Sequence, residues 1–249
     1  MRIDRTDYSF PAPVQRELTA AVVADTHGED PFPWLGILDG AGPDLILIPG
    51  DVTNRHSPEP ESVGGLFELL TARAPVFMSL GNHERMSAGK VREEAARTGV
   101  RLLENDWTEF EGIKIGGLTS GYAEEPGPLR QGHFRTTPKP DLAFAERFAS
   151  LGGFRILLSH HPEYYPAYLK VLNIDLIISG HAHGGQWRLF GLPVFAPGQK
   201  FFPRYAQGIT DGRLIVSRGL ANNAPVPRFG NPRELIFIRL FPGSGETGV

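Results

Sequence analysis

The sequence of 249 residues contains no cysteine. Disulfide bonds and metal sites built on thiolates are therefore excluded, and any bound metal must be held by His, Asp, Asn or Glu side chains. The formal net charge of −3 provides no broad basic field. Non-specific binding to nucleic acid is therefore not expected.

Long apolar runs are also missing. The most apolar segments, such as DLILIPG and FRILLSH, are far shorter than the roughly 18 residues that a membrane-spanning helix needs. The N-terminal segment MRIDRTDYSFPAPVQ lacks the apolar centre of a secretory signal peptide. We predict a cytoplasmic protein without a transmembrane segment. A peripheral position at a membrane is the alternative, and export would require that a leader had been removed.

The composition is that of a globular protein, with 41% hydrophobic and 21% charged residues. We predict one domain over residues 1–249, with an irregular lead-in at about 1–15 and a flexible tail at about 242–249. The 30 glycines and 22 prolines indicate many short strands joined by loops.

Five short apolar runs have the length and composition of buried strands. They are ELTAAVVADTHG, PDLILIPGDVTN, APVFMSLGNHE, FRILLSHHP and NIDLIISGHAHGG. Helical spacing of apolar residues is present over 59–73, 87–98 and 141–151. Strands that alternate with helices predict an α/β protein built from βαβ units.

The C-terminal third has a different pattern. The segments GQWRLFGLPVFAPG, YAQGITDGRLIVSRG and PRELIFIRL read as strands with tight turns, including a hairpin at Asp211-Gly212. An earlier hairpin is predicted at Glu111-Gly112. The sequence thus predicts two sheets packed between helices, one mostly α/β and one more antiparallel.

Polar side chains stand at the carboxyl end of every one of the five predicted strands. In open α/β sheets these strand ends meet at a common crevice, where ligands bind. One such residue carries little information, but five strand ends that all offer imidazole, carboxylate or amide groups are hard to explain by chance. The residues are Asp25, His27, Asp51, Asn54, Asn82, His83, Glu84, His160, His161, His181 and His183.

The segment GHAHGG places His181 and His183 two residues apart. In extended backbone both imidazoles point the same way, so each can reach a different ion of an adjacent pair. Asp51 can bridge two cations about 3.5–4 Å apart, which activate a shared water as hydroxide and hold the oxygens of an in-line displacement at phosphorus. We therefore predict two divalent metal ions, Mn, Fe, Zn or Co, with Mn as the first choice.

The motifs DTH, GDVTN, GNHE, LSHHP and GHAHGG, in this order over residues 25–185, resemble the signature of the calcineurin-like metallophosphoesterase superfamily. Residues 198–240 further resemble its small bacterial branch, which includes a UDP-diacylglucosamine pyrophosphatase of lipid A synthesis. The resemblance implies a four-layer α/β/β/α sandwich of two mixed sheets flanked by helices. It also implies a metal-dependent hydrolase of phosphodiester, pyrophosphate or monoester bonds.

Carried over position by position, the resemblance implies a role for each site residue. One metal would be bound by Asp25, His27 and His183, and the other by Asn82, His160 and His181. Asp51 would bridge the two metals. The catalytic residues would be Asp51 and His83, with His83 beside the phosphate and oriented by Glu84 or another carboxylate.

Two positions leave alternatives open. Asn54 stands where relatives often have Asp, and the resemblance leaves open whether it supports a metal ligand or faces the phosphate. His161 adjoins His160, and we choose His160 as the ligand because Pro162 follows it two residues later, as in the family pattern. His161 would then line the substrate cleft.

Two other functions compete with hydrolysis of a small phosphoester. A metal-binding scaffold with weak catalysis is disfavoured because no ligand is missing from the set. A nuclease of the same superfamily is disfavoured because the net charge of the chain is negative. The substrate is predicted to be a small-molecule or lipid-linked phosphoester. Loop arginines that are candidates for phosphate binding are Arg55, Arg85, Arg130, Arg135, Arg204, Arg218 and Arg228.

The segment RLFGLPVFAPGQKFFPRY, which follows the GHAHGG motif, is unusually apolar. Core packing is the preferred explanation for most of its large side chains, and an apolar rim for a lipid-bearing substrate is the alternative. These side chains are Phe190, Leu192, Val194, Phe195, Phe201, Phe202 and Tyr205.

Overall fold

The computed structural model describes residues 2–54, 62–124, 137–196, 199–222 and 227–243. The first of its two six-stranded sheets has the strand order β1-β16-β2-β3-β4-β5. Strands β2 to β5 are parallel, while β16 runs antiparallel to β2 and parallel to β1. The bounds are β1 Ile3–Ala12, β2 Leu18–Val22, β3 Leu45–Ile48, β4 Val76–Met78, β5 Arg101–Leu102 and β16 Arg233–Pro242.

The second sheet has the strand order β14-β15-β9-β8-β7-β6. Its four inner strands are parallel, and the outer strands β6 and β14 are antiparallel to their neighbours. The bounds are β6 Asp106–Phe110, β7 Ile113–Leu118, β8 Phe154–Ser159, β9 Leu176–Ser179, β14 Gly208–Thr210 and β15 Leu214–Val216. Both predicted hairpins are present, as β6–β7 and as β14–β15.

The predicted contrast between one α/β sheet and one more antiparallel sheet is wrong, because both sheets have a parallel centre. The reason lies in strand pairing. The two most C-terminal of the described strands do not pair with each other: β15 joins β9 of the second sheet, and β16 joins β2 of the first. Residue periodicity identifies a strand but not its partner.

Three apolar cores separate four layers. In β3, Ile46 and Ile48 pack toward helices, whereas Leu45 and Leu47 pack toward the second sheet. A third core lies between the other face of the second sheet and the last helix. The helices are α1 Phe32–Ala41, α2 Ser62–Thr71, α3 Ala88–Thr98, α4 Gly121–Glu124 and α5 Leu142–Ala149. The predicted α/β/β/α sandwich is confirmed.

Two short hairpins follow the second sheet's strand β9. In the first, β10 (Arg188–Leu189) pairs with β11 (Leu192–Pro193). In the second, β12 (Phe195–Ala196) pairs with β13 (Lys200–Phe201).

The predicted helices over 87–98 and 141–151 correspond to α3 and α5, and that over 59–73 to α2, although residues 59–61 lie outside the described residues. Helix α1 is not foreseen. Within the parts of the chain that are described, no helix combines the length and the apolar character needed to cross a bilayer.

The prediction of an irregular lead-in at about 1–15 is corrected by the structure, because residues 3–12 form β1. The inward-facing positions at its start are polar, and the usual apolar alternation is missing from the sequence for that reason. Thr6 donates a hydrogen bond to Glu234, and Asp4 pairs with Arg218. At the other end, β16 extends to Pro242, and residues 244–249 of the predicted tail lie outside the described residues.

Candidate metal centre

The loops that follow five strands bring the seven predicted metal ligands to one place. Asp25 and His27 follow β2, Asp51 follows β3, and Asn82 follows β4. The second sheet contributes residues from the loops after β8 and β9, namely His160, His181 and His183. These strands are parallel neighbours within each sheet, so their carboxyl ends lie at the same edge.

One group of ligand atoms is formed by Asp25, His27 and His183. The Nε2 atoms of His27 and His183 are 3.2 Å apart. The Nε2 atom of His183 lies 3.9 Å from Oδ1 of Asp25. These distances allow one cation to contact all three side chains.

A second group is formed by Asp51, His160 and His181. The Nε2 atom of His160 lies 3.1 Å from Oδ2 of Asp51 and 3.1 Å from Oδ1 of Asn82. Asn82 therefore joins this group with its side-chain oxygen. The carboxylate, amide and imidazole donors are those that Mn, Fe, Zn and Co accept.

Asp51 lies between the two groups. Its Oδ2 atom is 4.0 Å from Nε2 of His27 and 3.8 Å from Nε2 of His83, in addition to its contact with His160. Its other oxygen, Oδ1, accepts a hydrogen bond of 2.8 Å from the backbone N–H of His83. One carboxylate oxygen is thus fixed by the backbone, and the other faces imidazoles from both groups.

The backbone of the site is strained. Asp25, His27, Asp51, His181 and His183 all have φ between 46° and 65°, a left-handed conformation that residues other than glycine rarely adopt. Each such residue costs about 1–3 kcal/mol, so the surrounding structure must impose this conformation. The conformation turns the side chains of five predicted ligands toward a common point.

Two glycines permit the close approach of the acidic side chains. A Cβ atom at Gly81 would overlap Oδ1 of Asp51. A Cβ atom at Gly180 would lie 2.5 Å from Oδ2 of Asp25. Gly180, the first glycine of the GHAHGG motif, therefore makes room for the carboxylate of Asp25, which follows a strand of the other sheet.

Residues around the ligands fix their orientation. The Nδ1 atom of His27 is 3.0 Å from the carbonyl oxygen of Thr53, to which a protonated Nδ1 donates, leaving Nε2 free to bind a metal. The backbone N–H of His181 donates to Oδ1 of Asp25 over 3.1 Å. Glu84 accepts hydrogen bonds from the backbone N–H groups of Asp51, Thr53 and Gly81. These contacts differ from the expected role of Glu84 in orienting His83.

The electrostatics of the site favour positive charge. Burial raises the pKa of Asp25 to about 7, and repulsion from Asp51 adds to this shift. Burial alone would lower the pKa of His160, but Asp51, Asp25 and Glu84 outweigh it and raise that pKa to about 9. His160 and His83 hold the pKa of Asp51 well below its usual value despite burial. A divalent cation would supply the same positive charge to the buried carboxylates.

The residues present fit a bound cation. The Oδ2 atom of Asp25 is buried and has no hydrogen-bond partner, and the Nε2 atoms of His27 and His183 face each other rather than a protein donor. A buried carboxylate oxygen needs a partner, because its desolvation is otherwise uncompensated. The donor set is hard or borderline, in keeping with a divalent ion.

His161 has a different environment from His160. It is fully buried, and its Nε2 atom is 2.8 Å from Oγ of Ser120. Burial and the neighbouring His181 hold its pKa well below the usual value, so the ring is neutral. Asn54 directly follows Thr53 in the loop after β3.

Glu163 is a candidate that the sequence reasoning missed. It forms a third group of possible ligand atoms with His161 and His181. Neither of its carboxylate oxygens has a hydrogen-bond partner among the described residues. Burial raises the pKa of Glu163 to about 7. The sequence feature that could have identified Glu163 is the segment HHPE, in which an acidic residue follows the histidine pair by two positions.

The candidate arginines separate into different environments. Arg218 pairs with Asp4 and Glu234, and Arg204 lies over the ring of Tyr205. Arg85 donates to the carbonyl oxygen of Tyr122. Arg55, Arg130 and Arg135 lie outside the described residues.

Arg228 is the candidate that reaches the ligand groups. Its Nη2 atom lies 3.1 Å from Nδ1 of His183 and donates to the carbonyl oxygen of Ala221. Its Nε and Nη1 atoms are buried without a hydrogen-bond partner. Burial lowers the pKa of Arg228 to about 10, so the guanidinium remains charged at neutral pH.

The apolar segment after the GHAHGG motif is not explained by core packing, which corrects the preferred interpretation. Of its seven large side chains, five are exposed and two are partly buried. The exposed ones are Phe190, Leu192, Phe195, Phe201 and Phe202.

Comparison with known proteins identifies relatives of the chain. An uncharacterized metallophosphoesterase from Campylobacter jejuni is 27% identical over 208 residues, which are 80% of this chain and 50% of that protein. Phosphodiesterase YaeI from Escherichia coli is 27% identical over 197 residues, which are 72% of this chain and 64% of that protein. The chain spans about half the length of the first curated relatives that it matches.

Among solved structures, a dimetal phosphatase from Danio rerio is similar with a TM-score of 0.44 and 10% identity, covering 81% of this chain and 87% of that one. The sequence model of the family Calcineurin-like phosphoesterase matches residues 18–185. This match covers more than half of the chain and includes all seven predicted ligands. The resemblance to this superfamily is thereby confirmed: the chain belongs to the calcineurin-like phosphoesterases.

Proposed function

We propose that this chain is a metal-dependent phosphoesterase with a dinuclear centre. The observation that carries the proposal is the position of Asp51, whose Oδ2 atom lies within 4.0 Å of imidazole nitrogens of His27, His83 and His160. A single carboxylate in contact with both ligand groups is the arrangement that a bridged pair of cations requires. Manganese is our first choice, with iron, zinc and cobalt as alternatives.

In this proposal Asp25, His27 and His183 hold one cation, and Asn82, His160 and His181 hold the other. When bound, the two divalent cations would supply an activated water near neutral pH and electrostatic stabilisation of charge on the transferred phosphoryl group. The strained loops and the hydrogen bonds of Glu84 and Thr53 would keep the ligands in place before substrate binds.

We assign two side chains to the substrate. His83 is buried beside Asp51 and at the rim of both ligand groups, where its imidazole would donate a proton or a hydrogen bond to the leaving oxygen. Arg228 offers buried N–H groups without acceptors beside His183, and these would bind phosphate oxygens. Both groups act on negative charge that develops at phosphorus.

The substrate class in this proposal is a small-molecule or lipid-linked phosphoester. The name of the Escherichia coli relative, a phosphodiesterase, favours a diester. A pyrophosphate in a nucleotide-linked lipid, as suggested by the resemblance of residues 198–240, is the narrower proposal. We also propose that residues 1–249 form one domain, since the two sheets share an apolar core.

The test is hydrolysis of bis(p-nitrophenyl) phosphate by protein loaded with Mn²⁺, beside a panel of monoesters, nucleotide-sugar pyrophosphates and single-stranded DNA. Asp51→Asn and Asn82→Ala are expected to lower kcat by on the order of 10² or more. Asp106→Asn, on an exposed position of β6, is the control and should retain full activity.

Wild-type turnover in both site variants would refute the proposal. Stoichiometric metal without turnover of any ester would favour a scaffold, and preferential cleavage of DNA would favour a nuclease.

A further inference from the structure

A large apolar surface lies directly after the loop that carries His181 and His183. Eight of the fourteen exposed large hydrophobic residues in the described parts of the chain belong to it, and their exposed fractions range from 44% to 96%. We call it the aromatic patch. Its members are Trp187, Leu189, Phe190, Leu192, Phe195, Phe201, Phe202 and Phe229.

Backbone hydrogen bonds hold the strands that carry the aromatic patch next to one another. The backbone N–H of Val194 donates to the carbonyl oxygen of Trp187, and that of Phe202 donates to the carbonyl oxygen of Val194. The two hairpins, β10–β11 and β12–β13, therefore lie side by side. The rings of Phe195 and Phe201 are 5.7 Å apart. On the other side, the backbone of Phe229 bridges to that of Trp187. Apolar patches of this kind on a soluble protein mark an interaction surface.

Phe190 occupies a position that is unfavourable for folding. Leu189 pairs with Leu192, so Phe190 and Gly191 form a two-residue turn, with φ of 50° and 83°. Turns with positive φ at both central residues favour Asn-Gly or Gly-Gly. Phe190 is nevertheless 96% exposed and contributes nothing to the core. A bulky aromatic residue in a strained, exposed turn is explained by contact with something outside the chain.

The charge around the aromatic patch is entirely positive along the sequence. Residues 176–210 contain no Asp or Glu, whereas they include Arg188, Lys200 and Arg204. The chain as a whole carries a net charge of −3, so this segment differs in sign from the rest. Exposed aromatic side chains combined with Lys and Arg are the composition of surfaces that bind anionic lipid interfaces.

We propose that the aromatic patch docks on an anionic lipid bilayer, with Phe190, Phe201 and Phe202 entering the interface between headgroups and acyl chains. Lys200 and Arg204 would contact the anionic headgroups. A second copy of this chain is a poorer partner, because a symmetric contact between two aromatic patches would bring the same basic residues together.

The position of the patch places the candidate metal centre near the bilayer. Trp187 follows His183 by four residues, and a Cβ atom at Gly185 would meet the ring of Pro193 in β11. The hairpins are thus packed against the ligand loop itself. Docking through this surface would hold the site at the level of the lipid headgroups, independently of the substrate on which it acts.

The experiment is co-sedimentation of the full chain with vesicles of phosphatidylcholine, with and without phosphatidylglycerol. The wild-type chain should bind vesicles that contain the anionic lipid. Phe190→Asn should reduce the partition coefficient roughly tenfold. The double change Phe201→Ser with Phe202→Ser should reduce it further. Val171→Ser removes a highly exposed apolar side chain, 88% exposed, outside the patch and should bind like wild type.

Folding of the variants can be checked separately. Phe190→Asn introduces the preferred turn residue, so its melting temperature should equal or exceed that of wild type. The double change Lys200→Glu with Arg204→Glu should abolish the preference for anionic vesicles. Hydrolysis of a water-soluble diester should be the same in all of these variants, which separates docking from the proposed phosphoesterase activity.

Three results would overturn the proposal. They are a wild-type chain that stays in the supernatant with anionic vesicles, patch variants that bind like wild type, and a stable dimer in light scattering that Phe190→Asn converts to a monomer. The last result would assign the aromatic patch to a second copy of the chain.

Discussion

The carboxylate of Glu84 is bound to the backbone of Asp51, with Oε2 2.9 Å from the amide nitrogen. The same oxygen accepts a hydrogen bond of 2.8 Å from the backbone N–H of Gly81. The other oxygen accepts from the backbone N–H and the hydroxyl of Thr53. A fully buried carboxylate therefore connects the loop after β3 with the loop after β4, which together carry Asp51 and Asn82.

Replacement of Glu84 should be strongly destabilising. Glu84→Ala leaves three buried backbone N–H groups without an acceptor, at about 1–3 kcal/mol each, so we expect a loss of ~3 kcal/mol or more in the free energy of unfolding. Glu84→Gln retains one carbonyl oxygen and should lose less. Urea unfolding followed by circular dichroism measures both. Glu93→Ala in α3 removes an exposed carboxylate and serves as the control. A loss below about 1 kcal/mol for Glu84→Ala would contradict this interpretation.

A methyl group at Gly81 or at Gly180 should impair metal binding. In each variant the new Cβ atom overlaps a carboxylate oxygen, of Asp51 or Asp25 respectively, so that the whole carboxylate shifts away from its ligand group. We expect a loss of metal affinity of about 10–100-fold, measured by calorimetric titration with Mn²⁺. Gly36→Ala in α1 is the control, because a Cβ atom there has no neighbour within 4 Å. Unchanged affinity in Gly81→Ala and Gly180→Ala would argue against these carboxylates as ligands.

The chelator-treated protein should lose stability as the pH rises from 6.5 to 9. The pKa of His160 is raised to about 9 in the folded protein, so its stabilising contribution is complete below the ordinary value of 6.5 and is lost as the pH passes 9. Asp25 and Glu84, with pKa values of about 7, act in the same direction at the lower end of this range. We expect the melting temperature to fall by roughly 5 °C over this range.

Added Mn²⁺ or Zn²⁺ should weaken or reverse this pH dependence, because the cation replaces the proton as the source of positive charge. His160→Asn should flatten the dependence in the metal-free protein. A melting temperature that rises steadily from pH 6.5 to 9 without metal would show that His160 is neutral in the folded chain.

Arg228 should affect substrate binding more than the chemical step. Arg228→Met removes buried N–H donors beside His183 and should raise KM for a phosphodiester about tenfold or more, with a smaller change in kcat. Steady-state kinetics with bis(p-nitrophenyl) phosphate provide the measurement. Arg204→Met removes an exposed guanidinium and is the matched control. Equal KM values in the two variants and wild type would exclude a phosphate contact for Arg228.

The architecture and the meeting of the ligand residues could be anticipated from sequence, because both depend on local patterns. A buried apolar strand followed by polar residues is visible in ADTH or SGHAHGG without knowledge of the rest of the fold. Parallel packing then brings the strand ends together. The choice of His160 over His161 agrees with the geometry, in which His160 lies 3.1 Å from Asp51 while His161 is paired with Ser120.

Features that depend on partners distant in sequence could not be anticipated. The first half of β1 has no apolar alternation, because Asp4 and Thr6 there face Arg218 and Glu234, more than two hundred residues away. The role of Glu84 depends on which backbone N–H groups surround it, and these belong to two different loops. The exposure of Phe190 and Phe201 could not be anticipated either, because apolar composition does not reveal whether another layer covers a hairpin.

In the first sheet, the strand that lies between β1 and β2 is β16, the last strand of the described residues. β16 pairs with β2, for example Ile236 with Val22, and β2 leads into Asp25 and His27. During synthesis on a ribosome, β2 emerges early but keeps one unpaired edge until residues 233–242 leave the exit tunnel. The strained turn at Asp25 and His27 is therefore expected to form late, so that cation capture follows the pairing of β16 with β2.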